Sequence, residues 1–274
     1  MSAPVVLASP EAVRVSPEWL RLREPADAAA RSVELVERLR RHLAADRPLV
    51  IHDLGGGSGA MGRWLAPKLP GPQHWVLHDR NGDLLELAIA APPDSATVTV
   101  EARRSDITRL SRRHLAAASL ITASALIDLL TADELVRMLR ACRGRPMLLA
   151  LTVVGRVTLA PADPMDSRIA AAFNAHQRRR TMAGRKLGPD AVPVAVDELR
   201  GTSAEVLVRP SPWHLDASHA DLTAEWIEGW VAAACEQEPS LAAAAAAYLN
   251  RRLAQAAAGE LAVTVDHADL LVLP

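Results

Sequence analysis

An α/β fold with a seven-stranded, doubly wound and mostly parallel sheet is predicted by three features of the sequence. Short apolar runs alternate with helix-like runs from residue 48 to residue 157, joined by short links, which is the pattern of parallel strands with helices on both faces. The first apolar run ends in a glycine cluster at residues 55–59 that leads straight into a helix-like run. Beyond residue 160 the alternation stops, and helical segments stand between two last strand-like runs, 203–210 and 260–274, which suit an antiparallel sheet edge.

Residues 17–44 read as helical, with Val33, Leu35, Val36, Leu39 and Leu43 near one face and arginines opposite. They form an N-terminal helical cap (1–44) ahead of the sheet domain (45–274). "PLVIHDL" (48–54) is a buried strand, and "SGAMGRWLAPKL" (58–69) starts a helix with Ser58 as its cap. "QHWVLHD" (73–79) is the second strand, "NGDLLELAIAA" (81–91) a helix, "ATVTVEA" (96–102) the third strand and "ASLITAS" (118–124) the fourth. "TADELVRMLRAC" (131–142) is a helix, since Thr131 followed by Glu134 forms a capping box. "RPMLLALTVVGRV" (145–157) is the fifth strand. Helices follow at 163–180 and within 187–201, then a strand at 203–210. Two more helices, 222–237 and 239–259, part at Pro239 and form an insertion before the last strand.

Composition narrows the function. Half of the 274 residues are apolar, enough for a sizeable core. A formal net charge of −1 argues against a nucleic-acid surface. Cys142 and Cys235 are too far apart for a zinc-type pair, and two cysteines make no disulfide framework, so a reducing, cytoplasmic setting is expected. Residues 1–15 lack the charged-then-apolar build of a signal peptide, and the apolar run at 241–249 is too short for a bilayer, so no membrane partner is expected.

The stretch "IHDLGGGSGAMG" (51–62) carries the functional signal. Gly55, Gly57 and Gly59 between a strand and a helix let a ligand approach the backbone closely. That spacing nearly fits a dinucleotide fingerprint as well. Asp53 discriminates, because a carboxylate there would repel a pyrophosphate and would suit a ligand whose near end is an ammonium group. Asp53 also suits a loop-capping role, which coexists with binding.

"HDLGGGSG" resembles motif I of the class I, Rossmann-like S-adenosylmethionine-dependent methyltransferases, and the resemblance continues in order over about residues 45–155. Asp79 ends the second strand, where an acid in that family binds both ribose hydroxyls. Asp106, in "RRSDIT", follows the third strand, where an acid accepts from the adenine amino group, and Ile107 beside it would pack on the ring. The resemblance implies S-adenosylmethionine as cofactor, held by Asp53, Gly55, Gly56, Gly57, Gly59, Asp79, Arg80, Asp106 and Ile107. The alternative for Asp79 and Asp106 is to cap the helical segments that follow them. Ser119-Leu120 stands where the family often begins its fourth strand with Asp, and no "PPY" follows, which speaks against adenine or amide N-methylation. No metal-ligand set of the catechol O-methyltransferase type is present.

The acceptor side is expected in segments 160–200 and 211–258. His176 is the candidate general base, since imidazole accepts a proton near neutral pH, or else a helix residue bonded to a carbonyl. Asn174 and Gln177 are placed to orient an acceptor. Arg180 belongs to a basic run with Arg178, Arg179, Arg185 and Lys186, which is either a solvated face or a site for an anionic substrate. Asp128, after the fourth strand, is a pocket residue or a helix cap. His214, with Trp213, lines the pocket or packs at a strand end. His267 in the last strand reads as structural, and Trp226 and Trp230 share a helix face that reads as core. The function expected is methyl transfer to oxygen or carbon of a small-molecule acceptor, by a monomer or homodimer. An NAD-dependent oxidoreductase and a non-catalytic S-adenosylmethionine-binding protein are the alternatives.

Overall fold

The N-terminal cap is a pair of helices that turn a corner at Arg31. In the computed structural model, which describes residues 16–43 and 47–274, α1 (Pro17–Ala30) and α2 (Val33–His42) each begin on a serine. Ser16 accepts the Trp19 N–H at 3.0 Å and Ser32 accepts the Leu35 N–H at 3.3 Å, satisfying first-turn donors that have no partner within the helix. The helical reading of 17–44 is met by two helices, which part at the second of these caps. The domain boundary at 44 and the N-terminal fifteen residues lie outside the described residues.

The strands follow in the expected order: β1 (Leu49–Leu54), β2 (Gln73–Asp79), β3 (Val98–Arg104), β4 (Leu120–Ser124) and β5 (Met147–Ala160). Between them lie α3 (Ala60–Leu65), α4 (Gly82–Ala90) and α5 (Ala132–Cys142). The Thr131–Glu134 capping box is formed in both directions, as its residues predict. Further on come α6 (Asp166–Gln177), a two-residue hairpin of β6 (Arg180–Thr181) and β7 (Gly184–Arg185), and α7 (Ala191–Arg200). β8 (Glu205–Pro210), β9 (Trp213–Leu215), α8 (Ala220–Gln237), α9 (Ala242–Ala257) and β10 (Ala262–Leu273) complete the chain.

The main sheet runs β3-β2-β1-β4-β5-β10-β8, with β9 paired to one end of β10. Pairings among the first five strands are parallel, and β10 is antiparallel to β5, β8 and β9. Seven strands form the main path, as expected, and the short β9 is an eighth. The order reverses between β1 and β4, so their carboxyl ends part and leave a crevice where ligands of such sheets bind.

Alternate residues of the strands face two layers. Ile51, Trp75 and Leu77 pack with Leu35, Leu39, Met61 and Leu65 on one side. Leu54, Ile121 and Ala123 pack with Leu135, Leu139, Ala195 and Leu199 on the other. A third cluster covers the long outer halves of β5 and β10, where Leu159, Val263 and Val265 meet Trp213, Trp230 and Tyr248. Each large apolar side chain so buried contributes roughly 1.5–3 kcal/mol of transfer free energy. Trp226 and Trp230 stack with ring centroids 5.1 Å apart, and Trp230 is core, as its helical spacing predicts. No helix among the described residues is long and apolar enough to cross a membrane.

Candidate active site

The glycine loop hangs from the end of β2. The N–H groups of Gly55 and Gly56 both donate to the His78 carbonyl, at 2.8 and 3.0 Å. Gly55, Gly57 and Gly59 have φ of +67°, +50° and +83°, a region where side chains are strained. A Cβ on Gly55 would stand 2.8 Å from Leu126 Cδ1, and one on Gly56 would stand 3.2 Å from Asp53 Oδ2. Glycine is therefore required here both by conformation and by space. Gly59, not Ser58, is the N-cap of α3, and no side chain caps that helix.

Asp53 lies under this loop, buried at 1% exposure. Its Oδ1 accepts the Thr122 hydroxyl at 2.7 Å, while Oδ2 is buried with no partner among the described residues. Burial pushes its carboxyl up to about 6, against the Thr122 hydrogen bond and the positive charge of Arg31, which pull it down. Asp79 holds the loop from its other side: Oδ2 accepts the Gly57 N–H at 3.0 Å and Oδ1 the Asn81 N–H at 2.9 Å. Asn81, rather than Asp79, caps α4. Asp106 caps the short turn after β3, accepting the Thr108 N–H at 2.9 Å, and pairs with exposed Arg80 at 2.7 Å. Burial raises its carboxyl, but the Thr108 and Arg80 bonds outweigh that and leave it lowered. Ile107 is buried beside Leu54 and Ile127.

Helix α1 lies across the loop. Leu20 Cδ1 is 3.7 Å from where a Gly57 Cβ would be. Glu24 accepts two bonds from Arg63 of α3, at 2.7 and 2.6 Å, and Arg63 also donates to the Ser58 carbonyl at 2.6 Å. At the corner after α1, Arg31 is 3% exposed and donates through Nη2 to Ser124 Oγ at 3.1 Å. Its Nε and Nη1 are buried with no partner among the described residues, and its guanidinium lies 5.2 Å from the Trp64 ring. Arg31 is absent from the sequence-derived site. Nothing local marks it among so many arginines, since its burial depends on contacts with β4 and α3 distant in the chain.

The acceptor-side residues divide. Asp128 is buried at the carboxyl end of β4 with Oδ1 unpartnered, and burial pushes its carboxyl up to about 6, against its own backbone N–H and the charges of Arg23 and Lys186. Arg23 forms a two-bond pair with Asp27 at 2.9 and 3.0 Å, Asp27 also accepts the Trp213 indole N–H at 3.0 Å, and Arg23 lies 4.9 Å over the Trp213 ring. His267 adjoins this group, its ring 5.3 Å from Trp213, and burial first, then Arg23, push it down to about 4. Gln177 keeps a buried, unpartnered Oε1, whereas Asn174 donates to the Gly155 carbonyl at 2.7 Å. His176 lies on the side of α6 facing α8. Its Nε2 meets Glu236 at 3.1 Å and its Nδ1 meets Arg179 at 3.2 Å, and none of its contacts is with the glycine loop. Arg180 is exposed on the hairpin, and His214 is exposed on β9, 3.4 Å from Thr264.

No protein-family model matches the sequence, and no curated protein does. Among solved structures, the chain is similar to the cyclopropane synthase MmaA2 from Mycobacterium tuberculosis, at 12% identity over 95% of each chain, with a TM-score of 0.50. The chain has the class I methyltransferase fold. Two further similarities are weaker. One is to the YcgJ protein from Bacillus subtilis (12% identity, 88% of this chain and 97% of that one, TM-score 0.48). The other is to a SAM-dependent methyltransferase from Geobacter sulfurreducens in complex with S-adenosyl-L-homocysteine (15% identity, 94% and 98%, TM-score 0.45).

In this methyltransferase fold the crevice beyond β1 and β4 is bounded by the glycine loop, Asp53, Ser124 and Leu126, with α1 and Arg31 as its cover.

Proposed function

We propose that this chain is an S-adenosylmethionine-dependent methyltransferase acting on a small-molecule acceptor. One observation carries the reading. Beside a glycine cradle, a buried oxygen of Asp53 and two buried nitrogens of Arg31 lack partners, and Arg31 acts electrostatically on Asp53. A buried polar group without a partner costs about 1–3 kcal/mol, more when charged. A ligand with an α-amino acid end offers an ammonium to Asp53 and a carboxylate to Arg31, and so supplies both missing partners.

S-adenosylmethionine has such an end, and when bound it supplies a methyl group already activated on a sulfonium. The chain's task is then chiefly alignment and exclusion of water. Asp79 has lone pairs beyond its Gly57 and Asn81 bonds to receive ribose hydroxyls. Ile107 supplies an apolar wall for the base, and Asp106 an acceptor beside it. On the acceptor side, Asp128 is a better base than His176: its Oδ1 is free, and a carboxyl near 6 takes up a proton near neutral pH, whereas both ring nitrogens of His176 are engaged. An acidic hydroxyl or carbon acid is the acceptor that needs such a base. Arg23, held rigid by Asp27 and Trp213, adds positive charge on that side.

The test is calorimetric titration of S-adenosylhomocysteine, S-adenosylmethionine and NAD into the protein and into Arg31→Met and Asp53→Asn. Micromolar binding of the two sulfur cofactors, at least tenfold weaker in each variant, is expected. Binding of NAD with neither sulfur cofactor would overturn the reading in favour of hydride transfer.

A further inference from the structure

A second cleft, of about 500 Å³, opens at the end of the sheet opposite the glycine loop. It lies where β5 and β8 begin and β10 ends, between the carboxyl ends of α5 and α7. Its floor is apolar: Leu139, Met147, Leu199 and Val272 contribute, all within the buried core that supports α5 and α7. Its charged side chains are three arginines and one acid, Glu198.

The arginines differ in what already occupies them. Arg140 pairs with Glu198 at 3.0 Å. Arg145 donates to the carbonyls of Ala116 and Arg143, at 3.1 and 3.4 Å. Arg143 has no side-chain partner among the described residues. Arg112, whose Nη2 stands 3.9 Å from the Cβ position of Gly144, has none either. The cleft therefore combines an apolar floor with one exposed lining guanidinium, that of Arg143, that is not committed to a protein partner among the described residues. Guanidinium groups bind carboxylate and phosphate by paired, charge-assisted hydrogen bonds. The volume falls in the range of small-molecule sites, which are mostly apolar with a few placed polar groups. Complementing the carboxyl end of α5 is a role for Arg140 and Arg143 as well, but that role needs neither the apolar floor nor the opening.

We propose that this cleft is a second ligand site, for a small amphipathic anion: a carboxylate or phosphate head against Arg143, and a compact apolar body over Leu139, Met147 and Leu199. The site is separate from the cofactor crevice and stands whether or not the methyltransferase reading holds.

Octanoate, octyl phosphate and octanol are titrated calorimetrically into the full chain, into Arg143→Glu and into Ser203→Trp, which fills the cleft from its exposed loop. Both substitutions are at surface positions, and circular dichroism checks the fold of each variant. The expected result is saturable binding of at least one anion, at least tenfold weaker for octanol, at least tenfold weaker in Arg143→Glu and abolished in Ser203→Trp. The tighter of the two anions identifies the head group. S-adenosylhomocysteine binding should be unchanged in both variants. Octanol binding as tightly as the anions, anion binding unaffected by both substitutions, or no saturable binding at all would each overturn the proposal.

Discussion

Thr122 donates its hydroxyl to Asp53 Oδ1 at 2.7 Å across the β1–β4 pair, and the other oxygen of that carboxylate is left buried without a partner. With its carboxyl pushed up to about 6, Asp53 is protonated in the free protein at mildly acid pH. An ammonium-bearing cofactor needs the carboxylate. Affinity for S-adenosylhomocysteine should be level above about pH 6 and roughly tenfold weaker one unit below it. The folded state also holds the Asp53 proton between the ordinary value of 3.8 and about 6, so ionising Asp53 lowers stability as pH rises through that window. Asp53→Asn should abolish the pH dependence of binding and stabilise the free protein at pH 8 by roughly 1–3 kcal/mol. Calorimetry from pH 5 to 8 and urea unfolding check the two halves separately.

Gly55 faces Leu126. Gly55→Ala places a methyl group 2.8 Å from Leu126 Cδ1 at a φ of +67° and should cost about 1–3 kcal/mol. Leu126→Ala in the same chain removes the collision but not the backbone strain. The double variant should be less destabilised than the sum of the two single ones by about 0.5–2 kcal/mol in a urea double-mutant cycle. Strict additivity would mean that the loop moves away from Leu126 instead.

Glu24 and Arg63 tie α1 to the glycine loop through a partly buried ion pair of two hydrogen bonds. Glu24→Ala leaves Arg63 its bonds to the Ser58 and Ala91 carbonyls, so the loop should keep its shape while α1 loosens. Amide exchange should rise in Pro17–Ala30 and stay unchanged in β1. Dissociation of S-adenosylhomocysteine should quicken several-fold. Unchanged exchange in α1 would show that Leu20 and the Trp19–Trp213 contact hold the helix without this pair.

His52 and His78 are buried on neighbouring strands, Nδ1 to Nε2 at 2.9 Å with their rings stacked. Burial pushes both down to about 4, with nearby positive charge adding to the effect. The unfolded chain therefore binds more protons between about 4 and 6.5, and this pair's contribution to stability is lost as pH falls through that window. His78→Gln keeps a polar group for Ser105 and should reduce the loss of urea midpoint between pH 7 and pH 5.

Features written in neighbouring residues were legible. The glycine loop, the Thr131–Glu134 box and the break at Pro239 depend on backbone conformations that only a few residues adopt or on side chains reaching their own backbone. The alternation of strands and helices likewise follows from local apolar patterning. Two short elements were not legible: the β6–β7 hairpin and β9 hold two or three residues per strand, too few to show a period. The serine at 32 is a visible cap in retrospect, but the amphipathic pattern continues past it and hides the corner between α1 and α2.

By itself the sequence determined the order and kind of the longer elements, the loop and its three acids at three successive strand ends, because these are properties of residues close together in the chain. The tertiary structure alone decided which polar groups are satisfied. It paired His176 with Glu236 sixty residues away. It gave Asp79 and Asp106 protein partners and left Asp53, Asp128 and Arg31 each with an unmet bond in the interior. Whether a buried charge finds a partner depends on which distant segments exclude water from it, and that is settled only when the sheet and its covering helices meet.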